Sequence, residues 1–229
     1  MMHVENRELV VPGQLIAEGD YKIREGAFRD EDKIRASIVG LADQRGKNLR
    51  VIPLEGRYIP KSGDRVVGIV NDEYYAGWLL DIGAPYPGNL TVSSLLQRKV
   101  DLGEEDISKY LDIGDVVIGR VQDVNELMNI RLEVTRGDRG KVSGGHLVEI
   151  NPSRIPRVIG RKGSMISILQ KVGECNVEAG QNGRVMVWGD DPERENKVVE
   201  ALFMIERKAH TNGLTDRVRQ FLEKESKGG

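Results

Sequence analysis

Short apolar stretches alternate with turn-forming residues through the first sixty positions of the chain. The clearest stretches lie at residues 9–13, 34–39 and 49–54. Apolar and polar residues that alternate with period two, bounded by Gly, Pro, Asn and Asp, predict short strands. Residues 45–48 (Arg-Gly-Lys-Asn) predict a hairpin turn between two of them. We therefore predict a small β domain over residues 1–61, a size that suits a docking surface and a passive appendage equally well.

A second series of short strands follows over residues 62–137. An acidic insert at residues 101–115 separates the third predicted strand from the fourth. Five short strands with one longer connection at this point are typical of an OB-fold barrel. The predicted strands lie at residues 65–70, 78–83, 90–93, 116–121 and 130–134.

The last third of the chain mixes strand and helix patterns. A glycine-rich linker leads to a short strand at 147–150, helices at 151–159 and 164–172, and a hairpin of strands at 175–179 and 184–188. Asp191 and Pro192 then begin a long helix. Its buried stripe comprises Val198, Leu202, Ile205 and Ala209. We predict an α+β domain of order β-α-α-β-β-α over residues 145–212, with a C-terminal helical tail at 213–229.

The two short helices meet at Gly160-Arg161-Lys162-Gly163. Two glycines allow backbone to approach a ligand closely, and the helix that begins after Gly163 directs free N–H groups at the turn. Arg161 and Lys162 add cationic side chains, and Arg157 extends a stretch without acidic residues over 151–173. This pattern resembles the GxxG loop of type I KH domains, which binds a nucleic-acid backbone. The alternative is a helix–turn–helix corner with a solvated basic face.

The barrel region resembles the S1 RNA-binding domain. Gly-Asp-x-Val-x-Gly-x-Val occurs at residues 63–70 and again at 114–121, with Asp-Ile-Gly at 81–83 between them. The resemblance implies an RNA-binding surface, and we predict that Arg120 and Arg131 follow the RNA backbone. The alternative for both arginines is an ordinary solvated strand face.

This chain departs from the S1 pattern at the positions that usually stack on bases. Those positions hold Ala76 and Leu79, and Thr91 takes the place of the accompanying histidine. Tyr74, Tyr75 and Trp78 lie nearby and are candidates to replace the missing aromatic side chains. A tryptophan in a strand is more often part of a core than of a stacking surface.

A β domain, an S1 barrel and a KH domain in this order resemble the RNA-binding cap subunit of the exosome, of the archaeal ribosomal-RNA-processing protein 4 type. Residues 10–13 (Val-Val-Pro-Gly) and the Gly-x-Asn-Gly element at 180–183 strengthen the resemblance. It implies a non-catalytic protein that guides single-stranded RNA into a hexameric phosphorolytic ring for 3′-to-5′ processing. Three copies would form the cap, with their N-terminal domains docked on the ring. It also implies a structural role for residues 180–183. The alternative is a free-standing S1/KH RNA chaperone or translation factor.

Composition limits the other classes of function. The net charge of -2 means that any basic footprint is local. No apolar run approaches the ~20 residues that span a bilayer, and the N-terminus lacks the plan of a signal peptide, so we expect a cytoplasmic protein.

Catalytic and metal-binding patterns are weak. Cys175 is the single cysteine, which leaves neither an intrachain disulfide nor a cysteine zinc site. The acidic insert imitates a magnesium cluster but lacks a partnered base, so a solvated loop is the stronger interpretation. We therefore expect no catalytic residue, metal or cofactor. The histidines considered are His3, His146 and His210, and the acidic residues are Asp101, Glu104, Glu105 and Asp106.

Overall fold

The computed structural model of the 229-residue chain describes residues 1–53, 58–101, 103, 106–135, 138, 140–209, 211 and 213–223. The chain divides into two compact units, Met1–Gly56 and Arg57–Gly229. The finer domain boundaries remain predictions. Glu104, Glu105 and His210 lie outside the described residues, as does part of the predicted linker.

The first unit consists of short strands in two sheets. Sheet order is β1-β6-β7-β3 in one and β2-β5-β4 in the other. Arg45 pairs with Asn48 across the predicted hairpin turn, which is thereby confirmed. The strands are β1 (Leu9–Val10), β2 (Leu15–Glu18), β3 (Lys22–Ile23), β4 (Ala27–Asp30), β5 (Lys33–Ala36), β6 (Gly40–Arg45) and β7 (Asn48–Pro53).

Apolar side chains from both sheets form the core of this unit. Ile16 and Ile34 come from one sheet, and Val10, Leu49 and Val51 come from the other. All five are buried. The alternation in the sequence therefore reflects one covered and one solvated face for each sheet.

The second unit begins with a closed barrel. Strand β8 pairs with β9 and β11, β9 with β10, β10 with β12, and β12 with β11, which closes the ring. This arrangement confirms the predicted five-stranded OB-fold barrel. Its strands are β8 (Arg65–Tyr74), β9 (Gly77–Asp81), β10 (Gly88–Thr91), β11 (Val116–Val124) and β12 (Ile130–Glu133).

Two parts of the barrel differ from the sequence prediction. The third strand ends at Thr91, because the Thr91 side chain accepts a hydrogen bond from the backbone N–H of Ser94 and begins helix α1 (Val92–Leu96). A further strand, β13 (Gly140–Val142), lies in the predicted linker and pairs with β11.

The remainder of the second unit has the predicted β-α-α-β-β-α order. Its sheet order is β14-β16-β15, all antiparallel. The first helical segment starts with a 3₁₀ turn at Pro152–Arg154, which the sequence did not indicate. The elements are β14 (His146–Glu149), α2 (Ile155–Ile159), α3 (Ser164–Gly173), β15 (Asn176–Ala179), β16 (Arg184–Trp188), α4 (Pro192–Arg207) and α5 (Leu214–Glu223).

The long helix α4 forms as its sequence predicts. The Asp191 carboxylate accepts a hydrogen bond of 2.9 Å from the backbone N–H of Glu193, and Pro192 occupies the first helical position. All four residues of the predicted stripe are buried, but α4 ends at Arg207, so Ala209 lies beyond the helix. Helix α5 covers α3 and α4 through Leu214, Val218 and Leu222, so the described part of the C-terminal tail belongs to this core.

The turn at residues 180–183 joins the KH region to the barrel. The Asn182 side chain, 5% exposed, accepts a hydrogen bond from the backbone N–H of Val67 (3.2 Å). Its amide donates to the carbonyl oxygens of Val67 (2.8 Å) and Ile82 (3.0 Å). The backbone N–H of Gln181 donates to the Arg65 carbonyl at 2.8 Å. These bonds confirm the structural role that the resemblance implies for this turn.

Apolar and ionic contacts surround this turn, and together they form what we call the S1–KH junction. Val67 and Ile118 of the barrel pack with Met186 of β16. Arg184, almost fully buried, donates to the Asp81 carboxylate at 2.7 Å and to the Asp81 carbonyl at 2.6 Å. The barrel and the KH region are therefore parts of one packed unit.

We predict that Asn182→Ala lowers the free energy of unfolding of the Arg57–Gly229 unit by about 2–4 kcal/mol, because three backbone groups lose their buried partner. Urea unfolding followed by tryptophan fluorescence measures this, since Trp78 and Trp188 both belong to this unit.

The matched control is Gln181→Ala, which removes an exposed side chain from the same turn and is expected to change stability little. Equal stability of the two variants would contradict the anchoring role of Asn182.

Candidate nucleic-acid interface

The GxxG loop (residues 160–163) lies between α2 and α3, as predicted. Gly160 has φ of 76° and ψ of 172°. A Cβ atom at this position would lie 2.6 Å from the backbone nitrogen of Met165 and 2.8 Å from its Cβ. Gly160 is therefore required for the loop to pack on the start of α3, a reason that the sequence did not provide. Any side chain here disturbs the fold, so substitutions at Gly160 are poor probes of RNA contact.

Gly163 has a different environment. A Cβ at this position would meet only Ile166, at 3.9 Å, although φ is 79°. Gly163 is also the N-cap of α3, and no side chain caps the helix there. The first N–H groups of the helix therefore face the loop with the positive end of the helix dipole behind them.

Arg161 and Lys162 are both exposed at the tip of the loop. Lys162 adopts the left-handed conformation, with φ of 53° and ψ of 32°, which is uncommon for a residue with a side chain. No carboxylate in the described part of the chain forms an ion pair with either side chain. The loop thus presents two cations and a helix N-terminus to solvent, an arrangement suited to phosphate groups.

Arg157, also predicted to contact RNA, donates hydrogen bonds to the backbone of the segment after α4. Its Nε donates to the carbonyl of Ala209 at 2.6 Å, and its Nη2 donates to that of Thr211 at 3.3 Å. The guanidinium therefore ties α2 to the segment that follows α4. A further contact to RNA from this side chain stays a prediction.

An apolar pocket of about 310 Å³ lies directly beside the GxxG loop. Of the described residues that line it, Gln181, at the edge of the S1–KH junction, is the one with a polar side chain. A pocket of this composition next to a loop whose charge suits phosphate groups has a shape and polarity that suit a nucleobase. The lining residues are Pro152, Ile155, Pro156, Ile159, Gly160 and Gln181.

The two predicted arginines of the barrel lie on neighbouring strands but form ion pairs with different carboxylates. Arg120 is the cross-strand partner of Arg65, and its Nε lies 3.3 Å from the carboxylate of Asp138. Arg65 also binds Asp138, at 2.9 Å, and Glu178 of β15. Burial acts to raise the pKa of Asp138, but hydrogen bonds from Thr135 and Arg65 lower it overall. Arg120 therefore belongs to an ionic network at the S1–KH junction.

Arg131 lies on β12, the strand that pairs with β11, and its side chain lines an open groove. Its side chain is 64% exposed, and Nη2 is 3.1 Å from the Asp123 carboxylate. We call this the barrel groove. It is lined by Tyr74, Leu79, Tyr86, Pro87, Asn89, Thr91, Asp123, Asn125, Met128, Asn129, Ile130 and Arg131.

The aromatic residues near the barrel have separate roles. Trp78 is fully buried, which confirms the expectation that it belongs to the core. Tyr75 is 74% exposed but lies beside Lys99 and Asp101, outside the barrel groove. Tyr74 lines the groove together with Tyr86, which is 50% exposed. The sequence reasoning missed Tyr86, although its position between two prolines in a loop was a signal.

The acidic insert contributes a local turn in its described part. The Asp106 carboxylate accepts hydrogen bonds from the backbone N–H (3.2 Å) and hydroxyl (2.7 Å) of Ser108. Within the described ranges, no group of three or more potential metal ligands comes together. Over the same residues, no helix has the length and apolar character needed to cross a membrane.

Comparison with known proteins shows similarity along almost the entire chain. Residues 7–55 match a family described as the exosome RNA-binding protein RRP4 N-terminal domain. The chain is 45% identical over 222 residues to the exosome complex component Rrp4 of Pyrococcus abyssi, covering 96% of this chain and 83% of that protein. It is also 45% identical to the exosome complex component Rrp4 of Methanothermus fervidus, covering 97% and 98%.

A solved structure has a similar fold. A crystal structure whose description names an exosome complex RNA-binding protein superposes on this chain with a TM-score of 0.68 and 33% sequence identity. The match covers 75% of this chain and 98% of that one.

We predict that changing Arg161 and Lys162 together to Asp weakens binding of single-stranded RNA without unfolding the protein. Both side chains are exposed, and the new carboxylates repel phosphates. The dependence of affinity on salt is also expected to become shallower, by a log–log slope of about 0.7 for each lost phosphate contact. Fluorescence anisotropy at several salt concentrations measures both effects.

The matched control is Arg217→Asp with Arg219→Asp, which makes the same charge change on the exposed face of α5. If both double variants bind RNA equally tightly, the GxxG loop is a structural corner and not a phosphate site.

Proposed function

Because the chain belongs to the Rrp4 family of exosome complex components, we propose that it is a non-catalytic RNA-binding cap subunit of an exosome. The observation that carries the proposal is the exposed Arg161–Lys162 tip between two positive-φ glycines, on a chain whose relatives are named exosome components. Neither side chain forms an ion pair with a residue that the structure describes. The substrate class is single-stranded RNA. The protein captures the RNA and guides it toward a nuclease made of other subunits.

The binding surfaces support single-stranded RNA as the ligand. The GxxG loop suits phosphates, and the apolar pocket next to it suits a base. The barrel groove adds tyrosine side chains and Arg131 at a second location. Aromatic and cationic side chains in open grooves bind unpaired nucleotides, whose faces and edges are accessible.

The proposed assembly is a trimeric cap on a hexameric ring of phosphorolytic subunits in the cytoplasm. The N-terminal unit docks on the ring, a role supported by the match of residues 7–55 to the RRP4 N-terminal domain family. Its two-sheet core is separate from that of the second unit, so docking and RNA binding belong to different parts of the chain.

We expect the tagged full-length chain to co-purify with phosphorolytic ring subunits from its native cells at moderate salt. A variant that begins at residue 57 is the matched control. It keeps Tyr58, which is buried in the barrel core, and is expected to lose the ring while retaining RNA affinity. A complex with RNA alone would favour a free-standing chaperone. Ring capture by the shortened variant would contradict docking through the first unit.

The purified chain alone is expected to release no nucleotides from RNA, with or without phosphate and magnesium. When it is added to the ring, decay of a long RNA is expected to become faster and more processive. Gel analysis of a labelled RNA measures both outcomes. Nuclease activity of the pure chain, or decay that is unchanged by its addition, would contradict the proposal.

A further inference from the structure

A row of four side chains crosses the outer surface of the barrel at the floor of the groove. Leu79 of β9 pairs with Asn89 of β10, and Asn89 pairs with Arg131 of β12. Arg131 in turn pairs with Asp123 of β11. Trp78, Leu80, Leu90 and Leu132, the sequence neighbours of Leu79, Asn89 and Arg131, point into the core, and the Asp123 side chain is 47% exposed. The row therefore faces solvent.

The Asn89 side chain is held in one orientation. The Tyr74 hydroxyl donates a hydrogen bond of 2.6 Å to Oδ1 of Asn89. Partial burial raises the pKa of Tyr74, so the hydroxyl keeps the proton that it donates. The Asn89 amide nitrogen has no partner among the described residues, and its N–H groups are available in the groove.

The net charge of the row is close to zero, which suits a base better than a phosphate. Asp123 is paired with Arg131, so the two charges largely offset each other. Asn89 and Leu79 beside them are neutral. A neutral floor that carries N–H donors on neighbouring strands, about 4.8 Å apart, matches hydrogen-bond acceptors on a base edge. The half-exposed ring of Tyr86 at the same groove offers an aromatic face for stacking.

We propose that the barrel groove reads the base of one nucleotide, with Asn89 contacting the base edge and Tyr74 acting as a positioning residue that orients the Asn89 amide. The inference rests on the proposed RNA-binding function and adds base selectivity to it. The ligand is a nucleotide of single-stranded RNA that presents an acceptor atom toward Asn89. The sequence alone named neither residue for this role.

The experiment measures affinities of the full-length protein for fluorescein-labelled 12-mers of uridine, cytidine and adenosine at one salt concentration. The parent is expected to rank them unequally. Asn89→Ala is expected to change at least one ratio of affinities by about three-fold or more, the effect of one lost hydrogen bond. Tyr74→Phe keeps the ring and is expected to change the same ratio in the same direction. The double variant is expected to equal Asn89→Ala alone, because Tyr74 acts through Asn89.

The control is the double Asp variant at Arg161 and Lys162, which is expected to weaken binding of all three RNAs by a similar factor. Asn89→Thr, a change that suits a strand, replaces Asn89→Ala if thermal melting shows that the latter is unfolded. Equal parent affinities for the three RNAs, or ratios that Asn89 variants leave unchanged, would overturn the inference. If the parent binds none of the RNAs, the proposed RNA-binding function itself is wrong.

Discussion

The second unit depends on one buried amide, Asn182, which bonds to the barrel backbone at three points. Only a carboxamide accepts from an N–H and donates to two carbonyls at once, which explains the residue type. Its neighbours have their own constraints. A Cβ at Gly180 would collide with the Asn182 side chain, and Gly183 has a positive φ and lies against the Ile150 carbonyl. Each defined residue of the Gly-x-Asn-Gly pattern is thus required for the contact between the KH region and the barrel.

Much of the fold could be predicted because local patterns agreed with the final packing. Strands β10 and β12 alternate between more and less buried residues, and α4 carries its own cap and buried stripe. The strand predictions that were wrong failed for two reasons, a pairing between distant segments and a helix cap. Strand β13 forms because β11 offers it a partner more than fifteen residues away, which a glycine-rich segment does not reveal. The Thr91 cap converts the end of a predicted strand into the start of α1.

The parts of the candidate site that consist of contiguous residues could be predicted from the sequence. The parts that the fold brings together from distant segments could not. The GxxG loop is contiguous, so its four residues and the exposure of its cations followed from the sequence. The ion pair of Arg120 did not follow from the sequence, because it depends on Asp138, a residue far along the chain from Arg65 that binds both Arg65 and Arg120. The bond between Tyr74 and Asn89 likewise required the barrel to bring β8 and β10 together.

The packed S1–KH junction has a consequence for how affinity depends on the length of an RNA. Because the two surfaces belong to one packed unit, a strand that binds at the GxxG loop meets the barrel groove at a set distance. Binding at the groove is then intramolecular. The effective concentration of RNA at the groove is high only for strands long enough to reach it from the GxxG loop. Shorter strands gain nothing from the second surface. Affinity should therefore rise in a step at one strand length. The protein would then distinguish long unpaired RNA segments from short ones.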